Sequence, residues 1–361
     1  HPSDNFGSIY SYFYSNPNYK FIDFTTALTK AYEIQGSLCL GTSLNQLGYD
    51  HVFYVKLASG AVFSSLLSKG NEKIVQRTIN HILLDGPTLR SYRHFPNVGK
   101  RKSWAAADAS KRGIELAKIS QLNDEVYSSI QDDKNWGFEK NYLNDSEIKF
   151  GKELNDWVIQ NVLFKVLFPA EFHGQSAVEG AIKLSKEFNQ NIDKVKKINI
   201  FTHEPAIRII ANKENLSNAS DRDHSLEYMV SAALLFGELK YEMYGNDFSG
   251  LNKIESLRKK IVVSEDTDFT KNYYEFSKRH ISNSIEIVYD DNSTSEKITI
   301  ENPIGHPSRR EEAIPLLKEK FIRNVQNILS SEKSMSLWEQ VINLEKDDEL
   351  TKFFNILQDD E

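Results

Sequence analysis

Three consecutive segments, "FTTALTKAYEIQGSLCL" (24–40), "HVFYVKLASGAVFSSLL" (51–67) and "EKIVQRTINHILL" (72–84), place apolar residues at mixed three- and four-residue spacing. That period belongs to helices, and it dominates from residue 20 to about 120. Gly36, Ser37, Ala58, Ser59 and Gly60 recur within these segments and suit helices that approach closely. A fourth helix is expected from Trp104 to Lys118, a stretch rich in Ala, with Ser103 as its N-cap. The first part of the chain therefore reads as a helical bundle.

The pattern then changes. A polar, weakly periodic connector at 121–150, with the pair Trp136-Gly137, leads into "VLFKVLF" (162–168) and "KKINIFT" (196–202), which read as strands, with a helix at 176–188 between them. "NSIEIVYDDNSTSEKITIE" (283–301) reads as a hairpin. After Pro307 the chain returns to helix, with "REEAIPLLKEKFIRNVQNIL" (310–329), two shorter amphipathic pieces and an acidic tail. The expected class is mixed α and α+β: a large helical domain (1–154) interrupted by a smaller α+β domain (155–305), with 306–361 returning to the first.

A chain of 361 residues, 40% hydrophobic and 26% charged, is long enough for two cores. Its net charge of −7 gives no global field for nucleic acid or an anionic membrane, so any basic site must be local. No apolar run approaches the ~18 residues of a membrane span. Cys39 is the single cysteine, which excludes an internal disulfide and an iron–sulfur cluster held by this chain. No two of the nine histidines stand at the spacing of a helical metal site, so a metal is unsignalled unless distant residues assemble one. The first residue is His1 and not Met, which suggests a fragment or a processed product.

Four constellations carry chemistry. Lys100, Arg101 and Lys102 crowd a helix start that is already positive, and Arg93 and His94 lie just before them. Such a cluster is either a solvated basic loop or an anion site. Lys165 interrupts an apolar run, where it must snorkel, pair, or sit in a cleft with a depressed pKa, and Glu171, His173 and Gln175 follow at a turn. "DRDHSLEYMV" (221–230) sets Arg222 and His224 ahead of a helix holding Tyr228, which is either a site residue or a core tyrosine bonded to a carbonyl. "IGHPSRR" (304–310) holds His306 and Arg309, and the opening "HPSDN" repeats its His-Pro-Ser triplet at His1. A small substrate with several carboxylates would satisfy all four. No glycine-rich phosphate loop is present, which argues against a nucleotide.

"RKSWAAADASKRG", "FPAEFHGQSAVEGA", "DRDHSLEYMV", "IGHPSRR" and "HPSDN" together resemble the MmgE/PrpD family along essentially the whole chain. The resemblance implies a homodimer with its site in a cleft between domains. It further implies a lyase of propionate catabolism, which eliminates water from the tricarboxylate 2-methylcitrate to give 2-methyl-cis-aconitate without a metal or other cofactor. Decarboxylation of cis-aconitate, or a truncated non-catalytic member, are the alternatives. Similarity to the cis-aconitate decarboxylase branch implies cleft residues His1, His51, Lys102, Lys165 and Tyr228. Arg93, Lys100, Arg101, His173, Arg222, His224, His306 and Arg309 are expected to bind substrate. The family pattern places more helix before His1. Fungal members act in the mitochondrion and bacterial ones in the cytoplasm, and abundant Asn, Lys, Ile and Tyr favour the former.

Overall fold

The computed structural model describes residues 1–94, 96–122, 127–188, 192–211 and 215–358. Residues 123–126 of the expected connector and the last three of the acidic tail lie outside them. The chain divides into two units: His1–Arg93, Lys100–Val162 and Phe321–Glu361 form the first, His94–Gly99 and Leu163–Lys320 the second. The second unit thus runs on to Lys320, where the sequence reading ended it at 305, and it borrows a short piece from the helical region.

The first unit is helical: α1 (Phe6–Ser15), α2 (Phe21–Gly41), α3 (Val52–Leu67), α4 (Glu72–Asp85), α5 (Arg101–Ile119) and the short α6 (Phe138–Tyr142) and α7 (Trp157–Asn161). Every residue of α3 from Val52 to Ser64 is buried, so it is the central rod around which the others pack. Small residues make this possible. A Cβ on Gly113 of α5 would lie 2.6 Å from the Lys56 carbonyl and 3.0 Å from the Gly60 nitrogen of α3. Glu33 of α2 accepts from the backbone N–H groups of Val158 (3.0 Å) and Ile159 (2.8 Å), satisfying donors that the start of α7 leaves free.

In the second unit come α8 (Gln175–Phe188), β1 (Val195–Thr202), α9 (Glu204–Ile210), α10 (Ala219–Arg222), α11 (Leu226–Phe236), α12 (Leu251–Arg258), β2 (Ile261–Glu265), α13 (Thr267–Tyr274), β3 (Asn283–Tyr289), β4 (Ile298–Ile300) and α14 (Arg310–Val325), whose last residues already belong to the first unit. The sheet order is β2-β1-β3-β4, with β1 and β2 parallel and the other pairs antiparallel. Ile198, Ile200, Ile285 and Ile287 put one face of the sheet in the core, where α8 covers it and α11 packs on α8. The hairpin is present as β3 and β4, paired at Asn283↔Ile300 and Ile285↔Ile298. Back in the first unit, α15 (Ser331–Ile342) and α16 (Leu350–Gln358) complete the chain.

Two local expectations are corrected. Residues 162–168 are not a strand: the segment has no ladder, and its backbone bonds run from Val162 N–H to the Val158 carbonyl at 2.8 Å and from Phe164 N–H to the Gly305 carbonyl at 3.0 Å. Burial of its apolar side chains, such as Val166, needs no pairing. Helix α5 starts at Arg101, with Lys100 at the N-cap and no side-chain cap. Ser103 lies inside the first turn, where its hydroxyl donates to the Lys100 carbonyl at 2.7 Å.

Candidate active site

The first unit gathers its chemistry in front of α3. Asp50, fully buried, accepts at Oδ1 from Val52 N–H (3.2 Å) and at Oδ2 from Arg93 Nε (2.7 Å) and the Tyr92 hydroxyl. Burial pushes its carboxyl up, but His51, Arg93 and Tyr92 together hold it below the ordinary value. His51, partly exposed, is the residue before α3. Its Nδ1 lies 3.2 Å from Asp50 Oδ1 and 3.3 Å from a nitrogen of the buried Arg90 guanidinium. Burial, helped by Arg93 and Arg90, lowers its pKa against the pull of Asp50. The imidazole is therefore neutral near pH 7. The His1 ring stands 6.4 Å away, edge-on.

Beside this cluster, the first turn of α5 holds Lys100, Arg101 and Lys102 and no acidic residue. Arg101 stacks on Trp104 (4.5 Å) and Tyr92 (5.4 Å), and Lys102 is half-buried. Arg93 is turned inward onto Asp50, so its charge supports that carboxylate and not a substrate.

The second unit has its own cluster. Glu171 caps the turn before α8 by accepting from the His173 backbone N–H (2.8 Å), and its carboxylate also meets His173 Nδ1 (2.8 Å). Burial opposes ionisation, yet His173 and His224 outweigh it and hold Glu171 at about 2. His173 Nε2 reaches the Tyr273 hydroxyl at 3.3 Å, and Tyr273 stacks on the buried His203 at 4.9 Å. Lys165 emerges at the surface with its ammonium 5.3 Å from the Phe172 ring centre. Its pKa is lowered by partial desolvation against the attraction of Glu171 and Asp223, and the exposure of the side chain keeps the desolvation modest.

Four expected site residues have polar atoms engaged within the fold. Tyr228 is fully buried among apolar neighbours and its hydroxyl donates to the Met243 carbonyl. Buried Arg222 donates to the Tyr244 carbonyl (2.7 Å) and Asn246 (2.8 Å). His306, also buried, caps the turn at Pro307 by accepting from Ser308 N–H. Arg309 is bidentate on Glu179, at 2.9 and 3.2 Å, and also meets Glu312 and the Asn302 carbonyl. His224, which precedes α11, pairs with Asp223 at 2.9 Å.

Among the described residues no group of three or more His, Cys, Asp or Glu side chains is arranged to hold a metal ion. Among the described residues no helix is long and apolar enough to cross a membrane. A groove along α4, lined by Glu72, Val75, Gln76, Ile79, Asn80 and Tyr127, contains none of the candidate residues. Asp50, Arg90, Tyr92 and Tyr273 are the partners that sequence reasoning missed. The adjacency of Asp50 and His51 in "YDHVF" was a usable signal for the first of them.

The chain belongs to the MmgE/PrpD family: the family's N-terminal domain matches residues 1–151 and its C-terminal domain residues 168–346. It is 39% identical over 339 residues to the mitochondrial 2-methylcitrate dehydratase of Yarrowia lipolytica, covering 90% of this chain and 65% of that protein. It is 41% identical over 303 residues to the 2-methylcitrate dehydratase of Escherichia coli K12, covering 83% and 62%. The enzyme of the same name from Cupriavidus necator is 39% identical over 302 residues, with the same coverage of 83% and 62%. The chain therefore spans a little under two thirds of the length of these curated relatives.

Proposed function

We propose that this chain serves the elimination of water from 2-methylcitrate, giving 2-methyl-cis-aconitate. One observation carries the reading: relatives from a yeast and two bacteria, 39–41% identical, bear the same activity in their names. The reaction takes a proton from the carbon bearing the methyl and a carboxylate, and expels hydroxide from the neighbouring carbon. That carbon acid is weak, so the charge that develops on its carboxylate must meet fixed cations. Preorganised charges in a dry site contribute a few kcal/mol each.

In this reading Lys102, in the first turn of α5, neutralises a carboxylate, which relieves the crowding of cations at a helix N-terminus. Lys165 of the second unit has the same task. His51 and His1, whose rings stand 6.4 Å apart, handle between them the proton and the charge that develops on oxygen. The Tyr228 hydroxyl donates to the Met243 carbonyl and would have to leave it to act on substrate.

The test is turnover by the full-length protein with Lys102→Ala or His51→Ala. Each kcat is expected to fall by ~10²–10³, the usual cost of removing one such group. Near-normal turnover by both would refute the assignment. Loss of 2-methylcitrate without release of carbon dioxide separates dehydration from decarboxylation of cis-aconitate. A homodimer and a mitochondrial location complete the reading, and sedimentation and cell fractionation check them.

A further inference from the structure

His51 is offered two different partners at one ring nitrogen. Asp50 Oδ1, at 3.2 Å from Nδ1, calls for a proton on that nitrogen. The Arg90 guanidinium, at 3.3 Å from the same atom, calls for a lone pair. A guanidinium has five N–H donors and no acceptor, so a hydrogen bond between it and an imidazole nitrogen has one polarity only. Asp50, by contrast, is already supplied by Val52 N–H, the Tyr92 hydroxyl and Arg93 Nε, and does not depend on His51 for its hydrogen bonds. Arg90 is buried and its backbone N–H is tied to the Gly48 carbonyl at 2.9 Å, so the donor is held in place.

We propose that Arg90 is a positioning residue that locks His51 as the neutral tautomer with its proton on Nε2. Its Nδ1 lone pair is occupied by the guanidinium, and the outer nitrogen presents N–H. Such a ring is a hydrogen-bond donor to an oxyanion and not a base towards carbon. This deepens the dehydratase reading and rests on it: His51 would steady oxygen on the tricarboxylate as charge develops there, and the proton leaving carbon would go to a different group. The other charged or titratable neighbours of His51 are His1, Asp50 and Arg93. The N-cap position of His51, at the positive end of α3, also disfavours a second ring proton.

Long-range 1H–15N correlation of the imidazole rings tests this on the resting protein at pH 7, with His51→Gln used to assign the signals. The expected spectrum of the unaltered chain has Nε2 protonated and Nδ1 bare. Arg90→Met should move the proton to Nδ1, now free to donate to Asp50. A proton on Nδ1 of His51 in the unaltered chain overturns the proposal, and that spectrum decides even if Arg90→Met does not fold. An Nε2–H tautomer unchanged in folded Arg90→Met would equally remove Arg90 from the role. Because no turnover is read, failure of the dehydratase reading leaves this outcome separate.

Discussion

His203 is held neutral in the fold, brought down to about 3 from an ordinary 6.5, chiefly by burial. Between those values the unfolded chain binds more protons than the folded one, so stability rises with pH there and is lost as pH falls from 6.5 towards 3. Glu171, held at about 2 against an ordinary 4.5, adds a loss of the same sign between 4.5 and 2. At pH 5 the fully buried His203 alone should cost about 2 kcal/mol relative to pH 7. Urea midpoints at the two pH values check this: the midpoint is expected to drop, and His203→Gln to flatten the drop. A pH-independent midpoint would contradict the depressed pKa values. At this scale, what was legible in the sequence was the chemistry of neighbours. Glu171 stands two residues before His173, and Asp50 stands next to His51. Arg90 reaches His51 from 39 residues away and Tyr273 reaches His173 from 100, and no local pattern encodes those meetings.

Helix α3 has no solvent face along most of its length, and its fit against α5 depends on Gly60 and Gly113. In Gly113→Ala the new methyl would stand 2.6 Å from the Lys56 carbonyl, a backbone atom that cannot swing aside. Separation of the two helices should cost about 1–3 kcal/mol, readable as a lowered melting temperature. An unchanged melting temperature would mean that the contact is slack. The helices were legible because a period of 3.6 persists over several turns, as at 51–67 and 72–84. The apolar run at 162–168 misled for a definable reason. A short hydrophobic stretch reports burial, and burial without a neighbouring strand leaves an extended connector. Ser103 misled because N-cap preference is weak beside the packing that starts α5 at Arg101.

At the scale of the whole molecule, the first unit is assembled from both ends of the described chain. The backbone N–H groups of Phe21 and Ile22, which open α2, donate to the carbonyls of Asp348 and Lys346 at 2.9 Å. Leu350, Phe353 and Phe354 of α16 are buried against Phe24, Tyr10 and Tyr14. Deletion of α16 should therefore uncover an aromatic core and abolish the cooperative unfolding of the first unit, measurable by near-ultraviolet circular dichroism on heating. A sharp transition retained in the shortened protein would show that α16 is dispensable.

That closure has a temporal consequence. A ribosome releases α1 and α2 long before the aromatic residues that seal them exist. The sheet-bearing unit, finished by Lys320, can close while the earlier helices still lack their lid. Nascent chains stalled just after α16, with their last helices still inside the ribosomal tunnel, should then protect the sheet-bearing unit from protease and leave α1 and α2 open to it.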